Sequence, residues 1–164
     1  GENHSFEYGL FPSLLERGEK FYAHIPTRTY WLDIGTPQRY RQAHDDLLNN
    51  RVTRMHLRNR RGEFEGADIA ELDELSQIGD DCTLKSGSQI VNSVLGQGCY
   101  IEEKAQVVNS VIWPHTRIGA GAQVTGAIIG RGCHIGRSAI IGAGSVLGDK
   151  SSLTDFTQTG EAAQ

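Results

Sequence analysis

From Ile78 onward an aliphatic residue returns every five or six positions, and no ordinary helix or strand has that period. The positions are 78, 84, 90, 95, 101, 107, 112, 118, 124, 129, 135, 141 and 147, occupied only by Ile, Leu and Val. Ile78 to Val94 divides as 6+6+5 residues. The same frame restarts at Leu95, at Ile112 and at Ile129, where the last coil continues in full sixes. An α-helix cannot keep residues six apart on one face, and a single strand would show period 2. Three short strands per turn satisfy the pattern, each sending one aliphatic side chain inward. The expected fold class is therefore mainly β, a left-handed parallel β-helix of hexapeptide repeats over 78–155 with about four coils. Coils stacked at about 4.8 Å would build a column of Ile, Leu and Val inside a prism.

The repeat also accounts for residues that otherwise invite a chemical reading. Many of the 20 glycines follow directly on a repeat aliphatic, as in Ile78-Gly79 and Leu95-Gly96, where they are expected to ease the chain round a corner. Cys82, Cys99, Thr116 and Cys133 lie 17 apart, so all three cysteines share one column. Small buried side chains are expected there, rather than a metal site, which would need a fourth donor where Thr116 stands. Asn92-Ser93 and Asn109-Ser110 recur at the same interval and are expected to hydrogen-bond from coil to coil.

Chains built on this repeat include acyltransferases that use a histidine as general base, which brings His115 and His134 forward. They stand 19 apart, out of phase with the coils, and no long loop interrupts the frame to wall in a substrate. Solvated surface histidines are the expected outcome, with acetyl-CoA-dependent acyl transfer, or a purely structural oligomerisation module, as the alternative function. Trp113-Pro114 is expected to form a wide corner with its indole toward another domain or subunit.

The first fifty residues follow different rules. Phe6, Leu10, Phe11, Leu14 and Leu15 have helical spacing over 6–17, Pro12 is a candidate kink, and Gly18 is a stop. Lys20 to Ile25 and Thr29 to Asp33 read as two short strands around Pro26. Thr36-Pro37 reads as a capped helix start, with Tyr40, Ala43, His44, Leu47 and Leu48 on the buried face. Two helices and two strands cannot close a sheet or cover it, so this region needs further structure to pack against.

The residues Ser5-Phe6-Glu7, Leu10-Phe11-Pro12, Gly18, Tyr22-Ala23 and Tyr30-Trp31-Leu32-Asp33-Ile34-Gly35-Thr36-Pro37 resemble the last segment of the catalytic domain of sugar-phosphate nucleotidyltransferases. The mannose-1-phosphate guanylyltransferase and glucose-1-phosphate thymidylyltransferase types are the nearest. In that family a hexapeptide β-helix follows the catalytic domain, as here. The resemblance implies Mg²⁺ as cofactor, held in part by the aspartate at Asp33, with a nucleoside triphosphate and a sugar 1-phosphate as substrates. It also implies a second metal aspartate, a glycine-rich loop and a phosphate-gripping lysine that this sequence does not contain. No catalytic set is therefore complete here, and no tightly bound cofactor is expected in this chain.

The formal net charge of −4 argues against a nucleic-acid partner. No apolar run is long enough to cross a membrane, the first residues do not read as a signal peptide, and a cytoplasmic location is expected. Between the two parts, Arg51, Arg54, Arg58, Arg60 and Arg61 precede Glu63, Glu65, Asp68, Glu71, Asp73 and Glu74. Opposite blocks so close together suit a solvated connector that covers the first coil. The expected organisation is a nucleotidyltransferase remnant over 1–50, a linker or cap over 51–77, the β-helix over 78–155 and a tail over 156–164. Assembly into a homo-oligomer, or regulation, is the expected task of the β-helix.

Overall fold

The computed structural model of the chain describes residues 5–27, 29–52, 63–66 and 70–160. Sixteen short strands among them form three flat parallel sheets, visited in strict rotation. Face A holds β2 (Gln77–Ile78), β5 (Val94–Leu95), β8 (Val111–Ile112), β11 (Ile128–Ile129) and β14 (Val146–Leu147). Face B holds β3 (Thr83–Leu84), β6 (Tyr100–Ile101), β9 (Arg117–Ile118), β12 (His134–Ile135) and β15 (Ser152–Leu153). Face C holds β1 (Glu71–Leu72), β4 (Gln89–Val91), β7 (Gln106–Val108), β10 (Gln123–Thr125), β13 (Ile140–Ile141) and β16 (Gln158–Thr159).

The fold is a left-handed parallel β-helix of about five turns, one more than the aliphatic frame suggested. The extra turn comes from β14–β16. There Leu147 and Leu153 keep the frame, but Thr159 takes the third core position and hides the repeat from a search for aliphatic residues. At the other end Glu65 bridges Thr83, and β1 pairs with β4. Phe64, Ala70 and Leu72 pack there against the core.

Register between coils is set by the column. Ile78 aligns with Leu95, Leu95 with Ile112, and Ile101 with Ile118. Of the thirteen repeat aliphatics, all but Leu147 are at most 1% exposed. Leu147 lies in the last turn, where no described coil stacks on it. Burying a side chain of this size is worth roughly 1.5–3 kcal/mol, so the column is the main source of cohesion.

The glycine after a repeat aliphatic serves a purpose other than turning the corner. A Cβ on Gly119 would sit 2.7 Å from the carbonyl carbon of Gly136, and one on Gly136 would sit 2.4 Å from the nitrogen of Asp155. These glycines let one coil's backbone approach the next. Left-handed backbone falls elsewhere, at corner columns such as Asn92 (φ 45°), Asn109 (φ 49°) and Gly126 (φ 61°). Asparagine tolerates that region better than most residues, which suits it to the corner.

The small-residue columns work as hydrogen-bond ladders. The thiols of Cys82 and Cys133 donate to the carbonyls of Gly96 and Gly148, each at 3.1 Å. The Thr116 hydroxyl donates to Gly130 at 2.8 Å, and the Cys99 thiol donates to Trp113 at 3.4 Å. Thr116 therefore does not break the column, because the position requires a small donor that reaches the next coil. All four residues are at most 2% exposed, and the cysteines are free. In a second column the Ser93 hydroxyl accepts from the Ser110 amide, and the Ser110 hydroxyl accepts from the Ala127 amide, both at 3.1 Å.

The N-terminal part is looser. The expected helix over 6–17 is a π-helical turn, Phe6–Leu10, followed by α1 (Phe11–Glu16). Pro12 lies in the first turn of α1, where its missing N–H costs nothing, so it starts a helix rather than kinking one. The strands expected at Lys20 to Ile25 and Thr29 to Asp33 do not form among the described residues. A strand requires a partner for its backbone groups, and no described segment supplies one. Thr36 does cap α2 (Pro37–Leu48), its hydroxyl accepting from the Arg39 amide at 3.2 Å.

Candidate functional site

Helix α2 lies along the β-helix and joins the two parts. Its first turns (Pro37, Gln38, Arg41) stand beside Gly126, Ile128, Gly144 and Val146. Its last turns (His44, Asp45, Leu48) stand beside Asn92, Val94, Asn109 and Val111. Its twelve residues span about 18 Å, and the coils from Asn92 to Gly144 rise about 14 Å, so one helix bridges them all. The seat is apolar. The outward residues of face A are Gln77 and then Val94, Val111, Ile128 and Val146, whereas face B carries Thr83, Tyr100, Arg117, His134 and Ser152 at the same position. This outward ladder is a signal the sequence holds at the residue before each repeat aliphatic, and a search for inward residues passes over it.

Polar contacts fix where α2 sits. The Asn92 side-chain amide donates to the Asp45 carboxylate at 2.7 Å and to the Asn109 carbonyl oxygen at 2.8 Å. Asn49 donates to Asn92 at 3.3 Å. The stacked asparagines thus bond from coil to coil, as their spacing suggests, and also receive the helix. Arg51 bridges Asp45 and Asp46 at 2.8 and 3.2 Å. The Tyr30 hydroxyl donates to the second oxygen of Asp46 at 2.8 Å. Partial burial and the adjacent Asp46 carboxylate hold the Tyr30 hydroxyl above the usual phenol range.

Asp33 lies between Tyr30 and the cap at Thr36, on irregular backbone. It is exposed, with no hydrogen-bond or ion-pair partner among the described residues. Its two carboxylate oxygens lie 3.6 Å from the place a Cβ on Gly35 would take, so the side chain folds back over the glycine. No three metal-donor side chains cluster among the described residues. Beside this stretch, Ile34, Gly35, Thr36, Pro37, Tyr40, Trp113, Ile128 and Val146 line an open groove of about 330 Å³. The Trp113 indole therefore faces the N-terminal part of its own chain, with the Arg131 guanidinium 5.7 Å over the ring.

The histidines are not brought together with other reactive groups. His115 sits exposed at a corner with φ 59°, its ring over Gly98, and His134 points outward from β12. The Cys99 thiol is pushed up by the neighbouring Cys82 thiol and by burial, the reverse of what a nucleophile needs. Arg54, Arg58, Arg60, Arg61 and Asp68 lie outside the described residues.

The three-sided coil and its ladders agree with the pattern of a known family. A model of the EIF2B subunit epsilon LbH domain matches residues 60–158. The chain belongs to that family. Residues 1–50 match the nucleotidyl transferase family. Nucleotidyl transferase sequence followed by an LbH domain fits the C-terminal, β-helical part of a nucleotidyltransferase. No curated protein matches the chain. Among solved structures, it is similar to the acetyltransferase domain of PglB from Neisseria gonorrhoeae in complex with acetyl coenzyme A. Identity is 16% over 57% of this chain and 52% of that one, with a TM-score of 0.33. A putative acetyltransferase from Bacillus cereus is 18% identical over 54% of this chain and 70% of its own, with a TM-score of 0.24. The LbH-domain chain spans about half the length of the first of these.

Proposed function

We propose that the chain serves as the C-terminal part of a cytoplasmic nucleotidyltransferase that joins a nucleoside triphosphate to a sugar 1-phosphate. The observation that carries this reading is the match of residues 1–50 to nucleotidyl transferases, together with the seating of their last helix, α2, on face A of the β-helix. The exposed Phe6, Tyr8, Tyr22, Ile25 and Trp31 supply an apolar surface for the rest of such a domain to cover. In the reaction a sugar-phosphate oxygen bonds to the α-phosphorus of the triphosphate, and the bond to the β-phosphate oxygen breaks. Pyrophosphate leaves with the electron pair. The nucleophile is already anionic, so positioning and charge neutralisation do the work and no strong base is needed.

The donor chemistry at Asp33 fits Mg²⁺ as a single ligand. Mg²⁺ in phosphoryl-transfer sites is held by one or two carboxylates, with phosphate oxygens and water filling the remaining positions, and Asp33 offers one unpaired carboxylate. When bound, the ion would neutralise charge on the triphosphate. The chain's own part is to present Asp33 at the N-terminal end of α2. The β-helix serves as the rigid base and as the surface for assembly into an oligomer. The triphosphate base and the sugar are chosen by residues other than these.

Incubating this chain with GTP or dTTP, mannose or glucose 1-phosphate and Mg²⁺ tests the reading. No pyrophosphate should appear with the chain alone, and pyrophosphate should appear when residues 1–50 complete a full nucleotidyl transferase domain. Release by the chain alone, or none from the completed protein, would overturn it. Acetyl-CoA binding by the chain would favour acyl transfer instead.

A further inference from the structure

The stretch that carries Asp33 makes no backbone–backbone hydrogen bond among the described residues from 22 to 35. Side chains hold it at two points, and both lie on α2. At one end Thr36 caps the helix. At the other the Tyr30 hydroxyl reaches Asp46, ten residues further along the same helix. Ten residues of helix rise about 15 Å, and the six residues from Tyr30 to Thr36 reach about 20 Å at full extension. Trp31 to Gly35 therefore forms a strap along α2, hooked at both ends, with Asp33 in its middle.

The anchor is built for the purpose. Asp46 is 7% exposed and is the one charged side chain buried among the described residues. A buried carboxylate is costly unless every oxygen is satisfied, and here Tyr30 takes one oxygen and Arg51 the other. Arg51 passes the connection to Asp45, and Asp45 passes it to Asn92 and Asn109 on the coil corner. The hydrogen bonds run without a gap from the residue three before Asp33 to the β-helix.

We infer that Tyr30 and Asp46 are positioning residues that hold the Asp33 strap against α2, so that the β-helix sets where the metal-binding carboxylate stands. The inference rests on the Mg²⁺ role proposed for Asp33. The Tyr30 hydroxyl and the Asp46 carboxylate are taken up by each other and by Arg51. Loss of this clamp should therefore appear in metal use rather than in substrate affinity.

Two measurements test it. In the present chain, ¹⁵N relaxation should give order parameters near 0.85 for residues 31–35, falling below about 0.6 in Tyr30→Phe while the β-helix stays rigid. In a protein where residues 1–50 complete the nucleotidyl transferase domain, Tyr30→Phe should raise the Mg²⁺ concentration for half-maximal activity about tenfold. KM for both substrates should stay within about twofold. Asp46→Asn keeps the shape and an acceptor oxygen, so its effect should be smaller and in the same direction. Asp33→Asn separates the two ideas. If Asp33→Asn leaves the Mg²⁺ response unchanged, the metal reading fails. If Asp33→Asn abolishes it while Tyr30→Phe leaves order parameters and Mg²⁺ response at wild-type values, the clamp is wrong. A strap already loose in the unmodified chain would overturn the clamp as well.

Discussion

The β-helix and the segment from Ser5 to Thr36 both carry large apolar side chains, yet they bury them to opposite degrees. In the β-helix Ile101, Ile118, Ile129 and Ile135 are wholly inaccessible. In the N-terminal segment Tyr8 is 86% exposed, Ile25 84% and Trp31 81%. Each coil finds its partner 17 or 18 residues away, so the column closes on itself as it grows. Beyond the ring contacts of Phe6, Phe11 and Phe21, the segment's apolar side chains stay largely exposed among the described residues, and its backbone is irregular where strands would need neighbours. Autonomy comes from where the contacts lie along the chain, more than from how apolar the residues are.

The contrast can be broken most directly by truncating one side chain in each region. Ile118→Ala should cost about 2–5 kcal/mol in denaturant unfolding, and Tyr22→Ala should change stability by less than about 0.5 kcal/mol. Equal losses would show that the segment contributes to the core after all. Within the β-helix, Gly136→Ala should cost about 1–3 kcal/mol, because its Cβ would meet the backbone of the next coil. Gly148→Ala should fall within about 0.5 kcal/mol, because nothing lies within 4 Å of its Cβ position. A similar cost at both glycines would point back to corner-turning as their role.

Smaller effects sharpen the comparison. Cys133→Ala should lose about 0.5–1.5 kcal/mol with the donor to Gly148, and Cys133→Ser should recover part of it. None of the three thiols should react with an aromatic disulfide reagent until the column unfolds. The smallest expected effect belongs to Tyr30. Its folded hydroxyl titrates above the unfolded value of 10.0, so the stability it contributes is complete below pH 10 and is lost as pH rises through the folded value. Alkaline unfolding of Tyr30→Phe should lack that component, and a profile identical to the wild type would remove the tyrosine from the clamp.

The β-helix was legible because one residue type at one spacing decides it. Ile78 to Leu147 mark the coils, and the Cys82, Cys99, Thr116 and Cys133 column follows from counting in seventeens. The fifth turn was less legible, because Thr159 stands where an aliphatic was sought. Thr36-Pro37 announced α2 correctly through its cap. The strands expected at Lys20 to Ile25 and Thr29 to Asp33 failed because alternation describes a strand's faces and says nothing about its neighbour. The docking of α2 was missed although Val94, Val111, Ile128 and Val146 spell it out at the repeat period. The metal role expected at Asp33 rests only on the resemblance, since a lone exposed carboxylate has no local signature.

The seat of α2 limits how such a protein can change its length. The helix begins against Gly144 and Val146 and ends against Asn92, and a single asparagine pins that end. A coil gained or lost between those corners would leave one end of the helix without support and carry the Asp33 strap out of line. A coil added beyond β16 would lengthen the column and leave the strap untouched. The prism can thus grow taller only outside the span from Asn92 to Gly144, whose storeys are committed to holding the N-terminal part in place.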